Sequence, residues 1–148
     1  MIKIAYIGAG SIQFGPIIVQ DILLNETLCN KGIEINLMDI ELSHLDHVFK
    51  HAEYVSAKLN RNAKIIKTTN QEEAIKNSNF VICALEKDRN VFWSQDFHIP
   101  RKYGFKQVYG ENGGVGSLFH ALRNIKVIVA LAKAVSYTHL TLPTMLWV

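Results

Sequence analysis

Residues 2–11, IKIAYIGAGS, decide the fold, because an apolar run passes here directly into a turn rich in glycine. A strand buried in a parallel sheet appears in sequence as a short run of apolar residues. Glycines that follow such a strand let the backbone turn sharply and approach a pyrophosphate at the N-terminus of the next helix. The stretch therefore predicts the first strand and the cofactor loop of a dinucleotide-binding domain.

Apolar runs and helical patterns alternate along the rest of the chain, which is typical of βαβ units and a mostly parallel sheet. Residues 79–85 include the apolar run FVICAL, whose continuity predicts a strand covered on both faces. We predict neither a helix nor a strand over residues 91–103, because Pro100 interrupts this segment. The sequence predicts an α/β domain with a Rossmann-like, doubly wound sheet over residues 1–134. The remaining predicted strands are 33–38 and 63–67, and the predicted helices are 16–23, 41–59, 71–76 and 117–134.

Composition and charge exclude several classes of function. With 148 residues, of which 49% are hydrophobic and 20% charged, the chain can form one compact domain with its own core. The net charge of +3 is scattered, so the sequence does not favour a nucleic-acid partner. The sequence contains neither a secretion signal nor an uninterrupted apolar stretch of about 18 residues. We therefore expect a cytoplasmic protein without a membrane partner.

The cysteines and histidines form no recognisable metal motif. Cys29 and Cys83 are too few for a disulfide framework and match no metal-binding spacing, which suits a reducing compartment. His47 and His51 are spaced i, i+4 on the long predicted helix, but no carboxylate or cysteine completes a ligand set. We therefore expect structural thiols, a solvated helix face and no metal ligand in this chain.

The candidate cofactor loop consists of four consecutive small residues: Gly8, Ala9, Gly10 and Ser11. Gln13 stands where the third glycine of the dinucleotide fingerprint would be. Asp39 ends the second predicted strand, where a carboxylate could accept hydrogen bonds from an adenosine ribose. It lies farther from the loop than the usual spacing of about 20 residues, and the linker 25–32 accounts for the difference. The alternative is a structural glycine turn with a helix-capping aspartate.

A second glycine-rich loop, residues 110–116, carries Glu111 and Asn112 just before a predicted helix. Such a loop lets backbone amides approach a ligand, and the helix would aim its positive N-terminus at the same place. A flexible surface turn explains the same residues equally well. Arg123, farther along that helix, could bind a substrate oxygen or a cofactor phosphate, or form a structural salt bridge.

Residues 135–148 differ in character from the rest of the chain. They combine threonines and Pro143 with large apolar residues, and they neither extend the preceding helix nor form another βα unit. They resemble translated adaptor sequence at the end of a truncated gene. We expect an anomalous tail that is not native domain sequence, and the alternative is a genuine but disordered tail.

Four motifs in order, KIAYIGAGS, LMDI, DFHIPRKYG and GENGGVGSLFHALRNI, resemble the N-terminal part of glycoside hydrolase family 4 over residues 2–134. The resemblance is to the α-glucosidase and α-galactosidase branch of these NAD- and divalent-metal-dependent enzymes. It implies cleavage of O-glycosidic bonds by NAD-mediated oxidation at sugar C3, elimination and water addition. It also implies manganese and a homo-oligomer for the full-length parent, with a small-molecule glycoside as substrate.

The resemblance assigns a pyrophosphate loop and a ribose-binding acid to residues already singled out: Gly8, Gly10, Ser11 and Asp39. Glu111 matches the acid that raises the basicity of a catalytic tyrosine, and that tyrosine is absent from this chain. Asn112 and Arg123 match positions close to the sugar. The metal ligands of the family also lie beyond the matching part, so we expect weak NAD binding at best and no glycosidase activity from this polypeptide alone.

Trp93 marks a departure that bears on the substrate. Family members that act on 6-phosphosugars carry an arginine near this place, so the resemblance implies a glycoside that is not phosphorylated. Two rival hypotheses share the opening loop. One is an oxidoreductase domain like that of lactate and malate dehydrogenases, and the other is a non-catalytic module that senses NAD.

Overall fold

A computed structural model gives the structure of the protein and describes residues 1–139. Its four strands form one parallel sheet in the order β3-β2-β1-β4. The strands are β1 Ile2–Ile7, β2 Ile33–Met38, β3 Ala63–Thr68 and β4 Phe80–Cys83. The helices are α1 Gly15–Leu24, α2 Glu26–Asn30, α3 Leu42–Lys58, α4 Gln71–Ile75, α5 Arg89–Lys102 and α6 Gly114–His139.

The chain divides into two compact units, each described separately below. We call residues 1–84, together with residues 134–139, the sheet unit, and residues 85–133 the helical unit. The order 3-2-1-4 is that of the first four strands in a doubly wound dinucleotide-binding sheet. The predicted fold class is therefore confirmed.

The core of the sheet unit lies on the central strands. All six residues of β2 are buried, as are the last four of β1, because each of these strands has a neighbour on both edges. Helix α3 supplies an apolar face at helical spacing, as the sequence predicts. The helical residues buried against these strands include Val19, Leu23, Leu45, Val48, Ala52 and Val55.

Strand β4 differs from the prediction of a strand buried on both faces. It is shorter than the apolar run, and both of its end residues are exposed, with Phe80 58% accessible. The reason is its place in the sheet, since β4 pairs with β1 and no other strand within residues 1–139 pairs with its second edge. The continuous apolar run correctly predicted a strand, but the prediction that both of its faces are buried was wrong.

The two long helices of the second half also differ from the prediction. Helix α5 covers most of residues 91–103, where the sequence predicted neither a helix nor a strand, and Pro100 lies inside it. Helix α6 begins three residues before the predicted start and continues to His139, so residues 135–139 do extend the helix. Residues 140–148, the rest of the expected tail, lie outside the described part of the chain.

Pro100 is tolerated because a side chain replaces the missing helical hydrogen bond. A proline has no N–H to donate to the carbonyl four residues earlier, which here belongs to Asp96. The side-chain amide of Gln107 donates to that carbonyl at 2.6 Å. Gly116 packs at the same spot, since a Cβ there would lie 2.1 Å from the Asp96 oxygen. The acceptor is thereby satisfied without breaking the helix.

Helix α6 is long and apolar enough over Gly114–Ser136 to cross a bilayer by length and composition, with a mean hydropathy of 1.4. This helix does not contain the uninterrupted apolar stretch that the sequence analysis required of a membrane span, because Arg123 and Lys126 interrupt it. Core helices of soluble proteins have the same composition. The expectation that the protein has no membrane partner therefore stays a prediction.

Candidate cofactor and substrate sites

The candidate cofactor loop follows β1 and is held against the end of β2. The N–H groups of Gly8 and Ala9 both donate to the carbonyl of Met38, each at 2.9 Å. Gly8 has a φ of 84°, a left-handed conformation that glycine adopts without steric cost. The loop therefore turns sharply at the carboxyl ends of two adjacent parallel strands, where open α/β sheets bind their ligands.

Asp39 closes this loop from the end of β2. Its Oδ2 accepts the N–H of Gly10 at 2.9 Å and its Oδ1 accepts the N–H of Glu41 at 3.0 Å. The structure thus brings together two residues that the sequence placed far apart, and the carboxylate keeps further lone pairs for a ligand. A Cβ at position 10 would lie 2.8 Å from Asp39 Cγ, so only glycine admits the carboxylate here.

Gly15 has a role that the sequence interpretation missed. Gln13 was taken to stand in place of the third glycine of the fingerprint, whose usual role is close packing of helix on strand. A Cβ at Gly15 would lie 2.4 Å from the carbonyl oxygen of Ala9 and 2.7 Å from Val48 Cγ2. Gly15 therefore supplies the close approach, two positions later than the fingerprint expects. A search for any glycine in the first turn of α1 could have found it.

Ser11 connects the loop to α1. Its Oγ accepts the N–H of Phe14 at 3.1 Å, and its carbonyl accepts the N–H of Gly15 at 2.7 Å. These bonds satisfy amide donors at the beginning of the helix, which otherwise have no partner within it. Ser11 thus fixes the angle at which α1 leaves the loop.

Tyr6 places a hydroxyl group in the core of the sheet unit. The side chain is fully buried, and its oxygen has no hydrogen-bond partner among the described residues. Burial, together with the negative charge of Asp39, raises the pKa of Tyr6 to about 12. At the loop, a glycine cradle that a Cβ would fill and an anchored carboxylate together fit the predicted dinucleotide.

In the helical unit, Glu111 is held by two side chains of α5. The indole N–H of Trp93 donates to its Oε2, and a guanidinium nitrogen of Arg89 lies 3.9 Å from its Oε1. Arg89 also pairs with Glu86, whose other oxygen lies 3.7 Å from Nδ1 of His120. The glycine-rich loop therefore presents a carboxylate that is part of a charged network.

Arg123 forms a bidentate ion pair with Asp96. Nη1 donates to Oδ1 at 3.1 Å and Nη2 donates to Oδ2, while the guanidinium lies 4.8 Å from the ring centroid of Phe92. Asp96 is only 6% exposed, so its charge requires this partner. The structure thus shows the salt bridge that the sequence left open, and a role in substrate binding stays a prediction.

Asn112 is exposed in the second glycine loop, and its N–H donates to the carbonyl of Tyr109 at 3.3 Å. No hydrogen bond or ion pair joins Glu111 to Arg123 in the described part of the chain. Glu111 and the two residues predicted near the sugar, Asn112 and Arg123, therefore share the helical unit, but Arg123 pairs with Asp96 instead of Glu111. Their assignment to a substrate stays a prediction.

A cavity of about 650 Å³ lies in the helical unit, between α5, the following loop and the first half of α6. Its wall is mostly apolar, with the Asp96–Arg123 pair as its main charged feature. The aromatic residues that line it are Phe92, Tyr103, Phe105 and Phe119. Among residues 1–139, no group of three His, Cys, Asp or Glu side chains lies close enough to share a metal ion.

Comparison with known proteins extends across both units. The sequence model of the family 4 glycosyl hydrolases matches residues 3–138. An α-glucosidase of Erwinia rhapontici is 41% identical over 90% of this chain, and an α-galactosidase of Bacillus subtilis is 34% identical over 90% of it. This chain spans only 29% and 31% of the lengths of these relatives.

A solved structure agrees with the fold. The 6-phospho-β-glucosidase of Thermotoga maritima, determined with manganese, NAD+ and glucose-6-phosphate, superposes with a TM-score of 0.78 at 25% identity. The match covers 94% of this chain and 32% of that one. The resemblance drawn from the four motifs is confirmed, and neither rival hypothesis gains comparable support. The chain belongs to family 4 of the glycosyl hydrolases.

Proposed function

We propose that this chain is the NAD-binding N-terminal part of a glycosidase that cleaves O-glycosidic bonds with the help of NAD and a divalent metal. The observation that carries the proposal is the bond between Asp39 and the N–H of Gly10, which closes a glycine loop at the carboxyl ends of β1 and β2. Family membership and the NAD and manganese of the Thermotoga maritima structure support it.

The residues of the sheet unit would bind and orient the dinucleotide. Gly8, Ala9, Gly10 and Ser11 bring backbone close to the pyrophosphate, and the start of α1 favours its negative charge. Asp39 would accept hydrogen bonds from the ribose hydroxyls with its remaining lone pairs. NAD supplies a hydride acceptor and donor when it is bound, which makes oxidation at sugar C3 and later reduction available.

The residues of the helical unit would act on the sugar. Glu111 would orient and raise the basicity of a tyrosine from a part of the enzyme absent here, and Asn112 and Arg123 would lie near the glycoside. We further propose that the metal ligands lie in that absent part, that the whole enzyme is a cytoplasmic homo-oligomer, and that this polypeptide alone is inactive. The relatives are roughly three times longer, which supports this division.

We propose a substrate without a phosphate group. The guanidinium of Arg89 already faces the carboxylates of Glu86 and Glu111, so it offers little free positive charge to a phosphate. The names of the α-glucosidase and α-galactosidase relatives agree with this choice. The Thermotoga maritima enzyme, which is named a 6-phospho-β-glucosidase and was solved with glucose-6-phosphate, is an example of the alternative, a phosphorylated substrate.

The test is hydrolysis of nitrophenyl α-glucoside, α-galactoside and their 6-phosphates by the whole enzyme, with NAD, Mn²⁺ and a reductant. We expect activity on the free glycosides that disappears without NAD, and none from the 148-residue chain. The Asp39→Asn variant should weaken NAD binding at least tenfold, whereas Glu41→Gln, a neighbouring exposed carboxylate, should not. Net NADH production from a hydroxy acid would instead support a dehydrogenase.

A further inference from the structure

Trp93 contacts both charged and aromatic side chains of the helical unit. It lies on one face of α5 in a ladder at i, i+4 spacing, in which Arg89 lies 5.4 Å from the centroid of its ring. The ring stacks on Phe97 with centroids 5.8 Å apart and planes 6° from parallel, and Arg101 lies 4.7 Å from the Phe97 centroid. This ladder fixes the plane of the indole and therefore the direction of its N–H.

That N–H is aimed at one acceptor, the carboxylate of Glu111. An indole nitrogen is a donor only, and a bond to an ionised oxygen is stronger and more directional than one to a neutral group. Arg89 reaches the other carboxylate oxygen. The indole hydrogen bond and the charge of Arg89 therefore act on different oxygens of Glu111 and restrict its rotation.

The loop that carries Glu111 needs such an anchor. Gly110, Gly113 and Gly114 surround it, and the last two have φ values of 72° and 79°. Glycine gives the backbone more conformational freedom than any other residue, so a side chain on this loop keeps its direction only if other groups hold it. The fixed indole provides that support from a neighbouring helix.

We propose that Trp93 is a positioning residue, whose indole N–H holds the Glu111 carboxylate in the orientation that the reaction requires. The inference rests on the proposed function of Glu111. Trp93 itself need not touch the substrate. Arg89 supports it by contacting the indole ring and the second oxygen of Glu111. The N–H is the essential part, while the aromatic ring serves to keep the N–H in place.

The kinetic test uses Trp93→Phe in the whole enzyme, because phenylalanine removes the donor and keeps an aromatic ring, of smaller size, on the ladder. We expect kcat to fall roughly 10- to 100-fold, the loss typical of one hydrogen bond to a charged group, with KM for the glycoside and for NAD changed less than about threefold. Ser94→Ala is the matched control, since it changes an exposed neighbour of Trp93 on α5 and leaves the N–H and its ladder intact. Equal losses from both variants would overturn the proposal.

A spectroscopic test on the 148-residue chain does not depend on activity. The chain has two tryptophans, so Trp147→Phe leaves Trp93 as the only source of an indole N–H signal in a proton–nitrogen NMR spectrum. We expect Glu111→Ala to shift this signal upfield and to speed its exchange with solvent. Glu53→Ala, which removes an exposed glutamate of α3, should leave it unchanged. An unmoved signal in the Glu111 variant would overturn the proposal.

The two tests separate the possible failures. A whole enzyme without glycosidase activity contradicts the proposed function, and the NMR experiment still decides whether Trp93 holds Glu111. An active enzyme whose Trp93→Phe variant keeps full kcat contradicts the positioning role. If that variant does not fold, the NMR experiment decides the proposal, because it leaves Trp93 unchanged and alters only its acceptor.

Discussion

Asp39 at the cofactor loop and the carboxylates Glu111 and Asp96 of the helical unit are held in different ways. In the sheet unit, Asp39 accepts hydrogen bonds from two backbone N–H groups. In the helical unit, Glu111 and Asp96 depend on the side chains of Trp93 and Arg123. The positions of backbone donors are determined by the strand and its turn, whereas side-chain donors depend on which residues of other elements lie nearby. The first arrangement follows from two adjacent parallel strands and their turns, which the sequence predicts, and the second requires contacts between side chains of different elements.

The two units also differ in how they cover apolar residues. Leu45 on α3 is 0% exposed, whereas Leu122 on α6 is 59% exposed. The stability of this chain therefore resides mainly in the packing of the sheet unit. The predictions below test that difference, from the largest expected effect to the smallest.

The first prediction compares one substitution in the two units. Leu45→Ala should lower the free energy of unfolding by about 4 kcal/mol, because it removes buried methyl groups and leaves a cavity. Leu122→Ala should lower it by less than about 0.5 kcal/mol, because the side chain is largely solvated. Urea denaturation followed by circular dichroism measures both. Similar losses of unfolding free energy in the two variants would show that Leu122 belongs to a stabilising core despite its 59% exposure.

The second prediction concerns the close approach of α1 to the cofactor loop. Gly15→Ala should cost about 2 to 3 kcal/mol, since the added Cβ would collide with the Ala9 carbonyl and Val48. Gly32→Ala is the control in the same unit, with a φ of 71° but its nearest foreign atom 4.0 Å away, and should cost about 1 kcal/mol from backbone strain alone. Thermal unfolding measures both, and an equal cost would refute the steric role of Gly15.

The third prediction concerns Glu34 on β2. Burial opposes ionisation of this carboxylate, but hydrogen bonds from Lys64 and Lys3 outweigh it and hold the pKa of Glu34 below its ordinary value of 4.5. A lowered pKa in the folded state contributes stability above pH 4.5 that is lost as the pH falls toward the folded value. We expect less than about 1 kcal/mol.

Its measurement is the urea midpoint of the wild-type chain and of Glu34→Gln between pH 3 and pH 6. The difference between the two proteins should shrink as the pH falls through this range. A constant difference would mean that Glu34 acts through packing alone.

Much of the sheet unit could be predicted from sequence, because its signals are local. An apolar run followed by glycines indicated β1 and its loop, and the end of the next run indicated Asp39 beside that loop. The periodicity of α3 identified its buried face. These features depend on the strand and helix periods themselves, which any stretch of the chain displays without reference to the rest.

The remaining features depend on contacts between distant residues. Apolar continuity cannot tell an edge strand from a central one, so β4 was wrongly expected to be covered on both faces. A proline ordinarily ends a helix, and the amide of Gln107 that permits α5 to pass Pro100 lies outside that helix. The sequence likewise did not indicate that Trp93 contacts Glu111, and it raised a salt bridge for Arg123 without identifying Asp96 as the partner.

The satisfied carbonyl of Asp96 also has an evolutionary consequence. Gln107 donates to this oxygen only because Pro100 cannot, and Gly116 leaves room for the contact. A residue with an N–H at position 100 would compete for the same acceptor and free the amide. Positions 100 and 107 should therefore vary together among homologues. A lineage that loses the proline would be released from keeping the glutamine but not the glycine, since a Cβ at position 116 would still collide with the Asp96 carbonyl.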